Sequence, residues 1–376
     1  MSRTVKKGGR KSPLKNVYIS SIYQNAGKTT VCLGIYKALR ERKLKTAFMK
    51  PVGQETVNVD DHNIDKDSYL IGEVYKCRKR LKDMSPVTIG PGYTEKYIFH
   101  PEGAMLREKI QGAFKKMARG KDVIIIEGTG HSGVGSVIDL SNATVAASLG
   151  SKVIIVSEGG IGKSIDEIML NKALFDMQNV EILGVIVNKV LPEKYERVKK
   201  ALTQGLRNKG IRLLGVIPLD PLLISPTIGQ VMNLLKMELL SGQGSLNRRV
   251  KNAIVAAMEP YNMVHHINTS GTLVITSGDR VDNIMAAVTA HLVTQSKSHQ
   301  ISGIILTGGL TPNDKVVDML KKSKIPVLLS PDDTFTVATK VEHLICKIQK
   351  TDKDKILEAY QLVKRYVDID AILAAA

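Results

Sequence analysis

The chain has 376 residues, 43 % of them hydrophobic, and a formal net charge of +18. That length favours two domains, and the apolar fraction is enough to fill a sizeable core. With 4 % aromatic residues and no Trp, a base-stacking nucleic-acid platform has little to work with, and no apolar run nears the roughly 20 residues that span a bilayer.

The charge is diffuse. Arg3, Lys6, Lys7, Arg10, Lys11 and Lys15 make residues 1–15 a basic arm, read as flexible, and the remainder is spread along stretches such as Lys76–Lys82 and Lys194–Lys200. Such a surface reads as a solvated face, so neither nucleic acid nor membrane is an expected partner. The basic start leads into no apolar signal core. Cys32, Cys77 and Cys346 match no metal or redox spacing and suit a reducing cytoplasm, the expected location.

Short β-rich apolar runs occur at Val17–Ser20, Thr46–Met49, Val123–Ile126, Val153–Val156, Ile182–Val187 and Leu213–Ile217, separated by helix-length amphipathic segments. In Gly103–Arg119, for instance, Leu106, Ile110, Phe114 and Met117 fall three or four apart, and Gly120 follows to end the helix. Apolar strands alternating with helices predict an α/β domain over 16–225, with a mainly parallel sheet covered on both faces. After Pro218 a Pro-rich stretch marks a crossover. A second, smaller α/β domain is predicted over 226–345, with helices near Ile228–Leu240, Leu246–Met258, Val281–Thr294 and Asn313–Lys322. Its strands are expected at Leu273–Thr276, Gly303–Thr307 and Val327–Leu329. Residues 346–376 read as a helical extension, with a closing helix at Asp352–Tyr366.

The strongest chemical signal is the strand from Val17 running into Gln24-Asn25-Ala26-Gly27-Lys28-Thr29-Thr30 and then an amphipathic helix. A tight loop at a helix N-terminus turns backbone N–H groups toward phosphates. Lys28 would contact the β- and γ-phosphates, and the Thr29 hydroxyl would ligate Mg²⁺. The usual pattern starts with Gly five positions before Gly27, where this chain has Ile22. A similar run, Gly162-Lys163-Ser164, is either a weaker phosphate site or a turn in which Ser164 caps a helix.

Later motifs resemble the dethiobiotin synthetase family. Lys50-Pro51-Val52 is similar to the element whose Lys sits by the γ-phosphate; Asp67 resembles an acidic residue near the metal; and Glu127-Gly128-Thr129-Gly130 resembles a strand-end Glu that helps hold Mg²⁺. Asn188 is like the Asn that contacts the base, with Ile217-Pro218 following. The resemblance thus implies a P-loop NTPase-type domain that binds ATP and Mg²⁺, with Lys28 and Lys50 as its catalytic lysines and Thr29, Asp67 and Glu127 around the metal. It further implies a homodimer. Departures are Gln54 after the Lys-Pro-Val element, and Thr129 and His131 where the family has Ala and a second Gly. His131 reads as a polar loop residue or as a minor catalytic group.

The second domain resembles the DRTGG domain through Ser277-Gly278-Asp279-Arg280, Leu306-Thr307-Gly308-Gly309-Leu310 and Pro331-Asp-Asp-Thr334. Those turns suit either a small-molecule effector or ordinary turn chemistry. The pairing is the one that precedes the catalytic domain of long phosphotransacetylases, and a chain stopping at Ala376 is expected to lack that domain. The expected function is a regulatory or slowly hydrolysing Mg-ATP-binding protein of that kind. The alternative is a stand-alone ATP-dependent enzyme phosphorylating a carbamate or carboxylate, and a partition-type scaffold ATPase is weaker because its extra P-loop Lys is missing.

Overall fold

A computed structural model describes residues 14–267, 269–293 and 301–376. Of the basic arm only Leu14 and Lys15 are among them, and Thr294 also lies outside the described residues. The chain divides into two units. One runs to Asp220 and resumes at Ile348; the other is Pro221–Lys347.

In the first unit, strands β1 (Lys15–Ser21), β2 (Thr46–Met49), β3 (Val123–Glu127), β4 (Lys152–Glu158), β5 (Ile182–Val190) and β6 (Leu213–Pro218) form a six-stranded sheet. Its order is β6-β5-β4-β1-β3-β2, with every pair parallel. The strands are buried on both faces, as the near-continuous Val/Ile runs require. Between them run α1 (Lys28–Glu41), α2 (Lys66–Val74), α3 (Gly103–Ala118), α4 (Asn142–Ser148), α5 (Gly162–Met177) and α6 (Tyr195–Arg207). The α3 stripe buries Leu106, Ile110, Ala113 and Met117, and Gly120 follows in the left-handed region. In register, Ile19 of β1 faces Glu127 of β3, so the carboxyl ends of these neighbouring strands coincide. A short hairpin, Thr56–Val59 with His62–Asp65, leads into α2, whose N-cap is Asp65.

The second unit holds α7 (Ile228–Leu235), β7 (Glu238–Ser241), β8 (Asn252–Val255), β9 (Thr272–Ser277), α8 (Val281–Val293), β10 (Ile301–Thr307), α9 (Asp314–Ser323), β11 (Val327–Leu329) and α10 (Thr334–Glu342). The strand order is β7-β11-β10-β9-β8, parallel except for β7. Alternation decides the two faces. Val274, Ile304, Leu306 and Val327 pack with α8 and α9 residues such as Ile284 and Leu320. Leu273, Ile275, Ile305 and Leu328 pack with Ile228, Val231 and Val337 of α7 and α10.

Two expectations in this unit are corrected. The helix expected near Leu246–Met258 is instead a turn followed by edge strand β8. Leu246, Val250 and Ile254 fall four apart and imitate a helical stripe. The backbone donors nevertheless go elsewhere: Lys251 N–H to Gly271 O at 2.8 Å and Ala256 N–H to Ile275 O at 2.8 Å. The helix expected over Ile228–Leu240 stops at Leu235, because Lys236 takes a left-handed conformation (φ 54°) and the chain turns into β7.

After the second unit, α11 (Lys353–Tyr366) and α12 (Ile369–Ala375) return to the first unit. Helix α11 lies along α1 at Gly34, where a Cβ would stand 2.4 Å from Val363 Cβ and 2.8 Å from Ala359 O. Among the described residues no helix is long and apolar enough to cross a membrane.

Candidate functional site

The loop leaving β1 has Asn25 at φ 67° and Gly27, the N-cap of α1, at φ 101°. Glycine is required at 27 on two counts: the left-handed φ, and a Cβ position 2.0 Å from Asn188 Nδ2. Asn188, on β5, donates from Nδ2 to Ala26 O at 3.0 Å. Lys189, with φ 56°, donates to Asn25 O at 2.7 Å and pairs with Glu158 at 2.5 Å; the Tyr23 hydroxyl donates to the same carboxylate. The ends of β4 and β5 therefore hold the loop in shape. Gln24 is exposed in the loop, and Thr30, in the first turn of α1, is half-buried.

Beneath the loop lies a buried cluster of charge. Lys28, Lys50, Asp65, Asp67 and Glu127 are each between 1 % and 7 % exposed. Lys28 Nζ donates to the Ser21 hydroxyl at 2.7 Å. The Thr29 hydroxyl lies 3.0 Å from Glu127 Oε1 and 3.1 Å from Asp67 Oδ1. The Lys50 ammonium binds Asp67 Oδ2 and stands 3.5 Å from Asp65 and 3.7 Å from Glu127. The residues singled out from three separate motifs thus converge at the carboxyl ends of β1, β2 and β3, where ligands of open α/β sheets bind.

Burial pushes the Glu127 carboxyl up to about 7, with Asp67 adding and Lys50 and Lys28 opposing. Burial likewise raises Asp65 to about 6 and lowers Lys28 to about 8. Burial also pulls on Lys50, but Asp67, Glu127 and Asp65 outweigh it and hold the ammonium well above its usual value. With three carboxylates against two ammonium groups, the cluster is one positive charge short when fully ionised. Glu127 Oε2 is also buried with no hydrogen-bond partner. An orphaned carboxylate oxygen beside a threonine hydroxyl and a second carboxylate is a donor set that fits a hard cation such as Mg²⁺. Among the described residues no group of three or more His, Cys, Asp or Glu forms a metal-binding cluster, so any such ion would take its remaining ligands from phosphate or water.

Sequence reasoning missed Ser21, Asp65 and Asn142. Asp65 Oδ1 caps α2 by accepting from Asp67 N–H at 2.9 Å, which fixes the helix turn that carries Asp67. Asn142, at the start of α4, ties down the loop after Glu127. It accepts from Thr129 N–H at 3.0 Å and from the Tyr18 hydroxyl at 2.7 Å, and donates to Thr129 O at 2.8 Å and His131 O at 2.6 Å. The two carboxylates flanking Lys66 were a legible hint of the cap. Nothing in the residues around Asn142 announces a bond to a loop eleven positions earlier. His131 is exposed, its Nδ1 accepting from Gly133 N–H at 3.2 Å.

The run Gly162-Lys163-Ser164 opens α5, but Ile161 is its N-cap and the Ser164 hydroxyl donates to Glu158 O at 2.6 Å. Ser164 is therefore not the cap. Lys163 is exposed, 6.0 Å from the Tyr23 ring.

In the second unit the recognisable turns pack on one another. Gly308 N–H donates to Asp332 O at 2.7 Å, Gly309 N–H to Ser330 O at 2.9 Å, and the hydroxyls of Thr307 and Thr334 meet at 2.6 Å. Arg280 binds the Ala257 and Met258 carbonyls at 3.3 and 3.2 Å and pairs with Asp282 at 2.8 Å.

Comparison with known proteins agrees with this division. A family described as an AAA domain matches residues 15–227, and one described as a DRTGG domain matches 230–344. Among relatives, phosphate acetyltransferase of Synechocystis sp. is 26 % identical over 367 residues, covering 95 % of this chain and 51 % of its own. That of Nitratidesulfovibrio vulgaris is 28 % identical over 363 residues, covering 94 % and 50 %. The chain thus spans about half the length of these relatives. Among solved structures, the septum site-determining protein MinD of Pyrococcus horikoshii, complexed with Mg-ADP, is 21 % identical with a TM-score of 0.36, covering 56 % of this chain and 84 % of that one. By the extent of the first match, the chain belongs to the AAA-domain family, and a DRTGG domain follows that domain in the same polypeptide.

Proposed function

We propose that this chain binds Mg-ATP through its P-loop and uses the bound nucleotide for regulation or assembly, in the manner of a phosphotransacetylase amino-terminal region, with hydrolysis slow if it occurs. One observation carries the reading: the buried cluster of Lys28, Lys50, Asp65, Asp67 and Glu127 beneath the loop, next to the Thr29 hydroxyl, with an oxygen of Glu127 left unpartnered. Burying five ionisable groups costs several kcal/mol per ion unless they are paired, and a stability role alone would favour apolar replacements. A bound nucleotide gives the lysines phosphate oxygens, and Mg²⁺ held by Thr29, Asp67 and Glu127 would neutralise charge between phosphates. Lys28 would leave Ser21 for the phosphates, and Lys50 would exchange a carboxylate for the γ-phosphate. In this reading the chain works as a homodimer, and a small-molecule effector acts at the DRTGG unit.

Adenine is the base this site favours. Leu191 stands where guanine-reading P-loop proteins carry an Asp, so the guanine N1–H and 2-amino group would be desolvated without an acceptor. Titration calorimetry should show ATP bound about 5- to 150-fold more tightly than GTP, both requiring Mg²⁺. GTP binding as tightly would overturn adenine readout, and no binding of either would overturn the proposal.

The second reading is a dethiobiotin-synthetase-like enzyme, favoured by the placement of Lys50 inside the cluster. Against it stand Thr129 and His131, whose carbonyls are pinned by Asn142 where that family has small residues. ATP turnover with 7,8-diaminopelargonate, and with acetyl-CoA plus phosphate, separates the readings: dethiobiotin formation at an enzymatic rate favours the second.

A further inference from the structure

The segment 348–376 touches both helices that build the candidate site. Just past the second unit, Lys350 Nζ meets the Tyr69 hydroxyl at 2.6 Å and Glu73 at 3.4 Å, and lies 4.9 Å from the centre of the Tyr69 ring. Tyr69 and Glu73 belong to α2, two and six residues beyond Asp67. Helix α11 then runs along α1. The closest approach is at Gly34, where the missing side chain lets Val363 and Ala359 sit against the backbone. Around that contact the Tyr360 hydroxyl donates to Glu41, Lys364 stands 3.6 Å from Glu41, and Lys37 lies 4.3 Å from the Tyr360 ring centre. Beyond α11, Asp368 N–H donates to Leu214 O at 2.8 Å, and Lys152 Nζ donates to Ala375 O at 2.7 Å, which anchors the segment to the sheet.

Lys28 and Thr29 open α1, and Asp67 lies in the first turn of α2. Whatever sets the relation of α1 to α2 sets the distance between phosphate clamp and metal carboxylate. The exposed ion pairs are individually weak. The packing at Gly34 is not, because it leaves no room for even a methyl group.

We propose that segment 348–376 is a strap through which the DRTGG unit acts on the nucleotide site, its grip on α2 at Lys350 and on α1 along α11 positioning Asp67 against Lys28 and Thr29. The proposal rests on the Mg-ATP reading above. The strap is continuous with the second unit at Lys347, so a change in that unit reaches the site along the chain itself. By reciprocity, occupancy of the site must then alter the second unit.

Hydrogen exchange read by mass spectrometry on the full chain tests this in two arms. In the first, eight Gly/Ser residues are inserted between Lys347 and Ile348, which slackens the link without touching any contact of the strap. In the parent chain, Mg-ATP should slow exchange both at Gly27–Val31 and in peptides within 221–347. In the insertion variant only the first effect should survive. Exchange in 221–347 that ignores Mg-ATP in the parent, or responds equally in the variant, overturns the proposal.

The second arm uses no nucleotide. Lys350→Ala with Val363→Ala, which removes the contact with α2 and the packing on Gly34, should speed exchange at 29–32 and 67–70 by at least about fivefold while the sheet strands keep their protection. Unchanged rates at those positions overturn the strap's hold on the site. Absence of protection at Gly27–Val31 on adding Mg-ATP would refute nucleotide binding instead, and the second arm still decides the strap.

Discussion

The two units share an architecture and differ in what they bury. Each is built on parallel strands with helices on both faces, and each gathers polar turns at the strand ends. At those ends the first unit buries Lys28, Lys50, Asp65, Asp67 and Glu127. The second buries neutral groups, Thr276, Thr307, Ser330 and Asn283, and keeps its ion pairs, Arg280 with Asp282 and Lys340 with Asp332, at the surface. A neutral amide tolerates an unpaired atom, as at Asn283 Oδ1, at a cost of a few kcal/mol at most, about 1–3, whereas an unpaired buried charge costs far more. Similar layers thus bury a cluster of charge at the strand ends in one unit and neutral polar groups in the other.

The largest test of that contrast is Lys28→Ala. Removing a charge-assisted phosphate contact should weaken Mg-ATP binding by about 2–3 kcal/mol in calorimetry. An unchanged affinity would remove the main distinction between the units.

A matched pair comes next. Asn142 and Asn283 are both buried amides holding loop carbonyls, Asn283 donating to Ala256 O at 2.9 Å and Met258 O at 3.1 Å. Each Asn→Ala change should cost about 1–3 kcal/mol of stability in denaturant titrations. Only Asn142→Ala should also weaken Mg-ATP binding, because its loop carries Glu127. Equal effects on nucleotide binding would erase the contrast.

A pH series sharpens it further. The folded pKa of Glu127, about 7, lies above its ordinary 4.5, so its protonated form is favoured in the folded state. The associated stability is complete below the ordinary value and is lost as pH rises through 7. Gln keeps the shape without titrating. The melting temperature of Glu127→Gln, relative to the parent, should therefore climb between about pH 5 and pH 8. A flat difference would mean that the carboxyl titrates normally.

The smallest expected effect belongs to the second unit's surface. Arg280→Ala should leave Mg-ATP affinity where it was, since its partners are Asp282 and two local carbonyls. A loss of affinity in calorimetry would assign that turn a part in the nucleotide site.

Much of the buried cluster was legible because its residues sit in short motifs at strand ends. Lys28, Lys50, Asp67 and Glu127 could be picked out singly, and a parallel sheet made their convergence predictable. Asn142, Ser21 and the Glu158–Lys189 pair were not legible, because a hydrogen bond between loops far apart leaves no local pattern. The second unit was harder for a related reason. Strand β8 is four residues long and spaced like a helix, and only its neighbour β9 makes it a strand. Strand β7 is hidden behind a left-handed Lys236, a conformation that a lysine does not advertise.

The discontinuity of the first unit has a consequence for how the protein is made. Helix α11 covers α1, yet the ribosome must translate residues 221–347 before α11 exists. At about 5–20 residues per second those 127 residues take roughly 6–25 s. Throughout that interval the Gly34 face of α1 waits for Ala359 and Val363 to arrive. The second unit, encoded without interruption, can complete its own core first. The first unit is begun first and completed last, so the face of α1 that carries Gly34 stays uncovered while the second unit is being made.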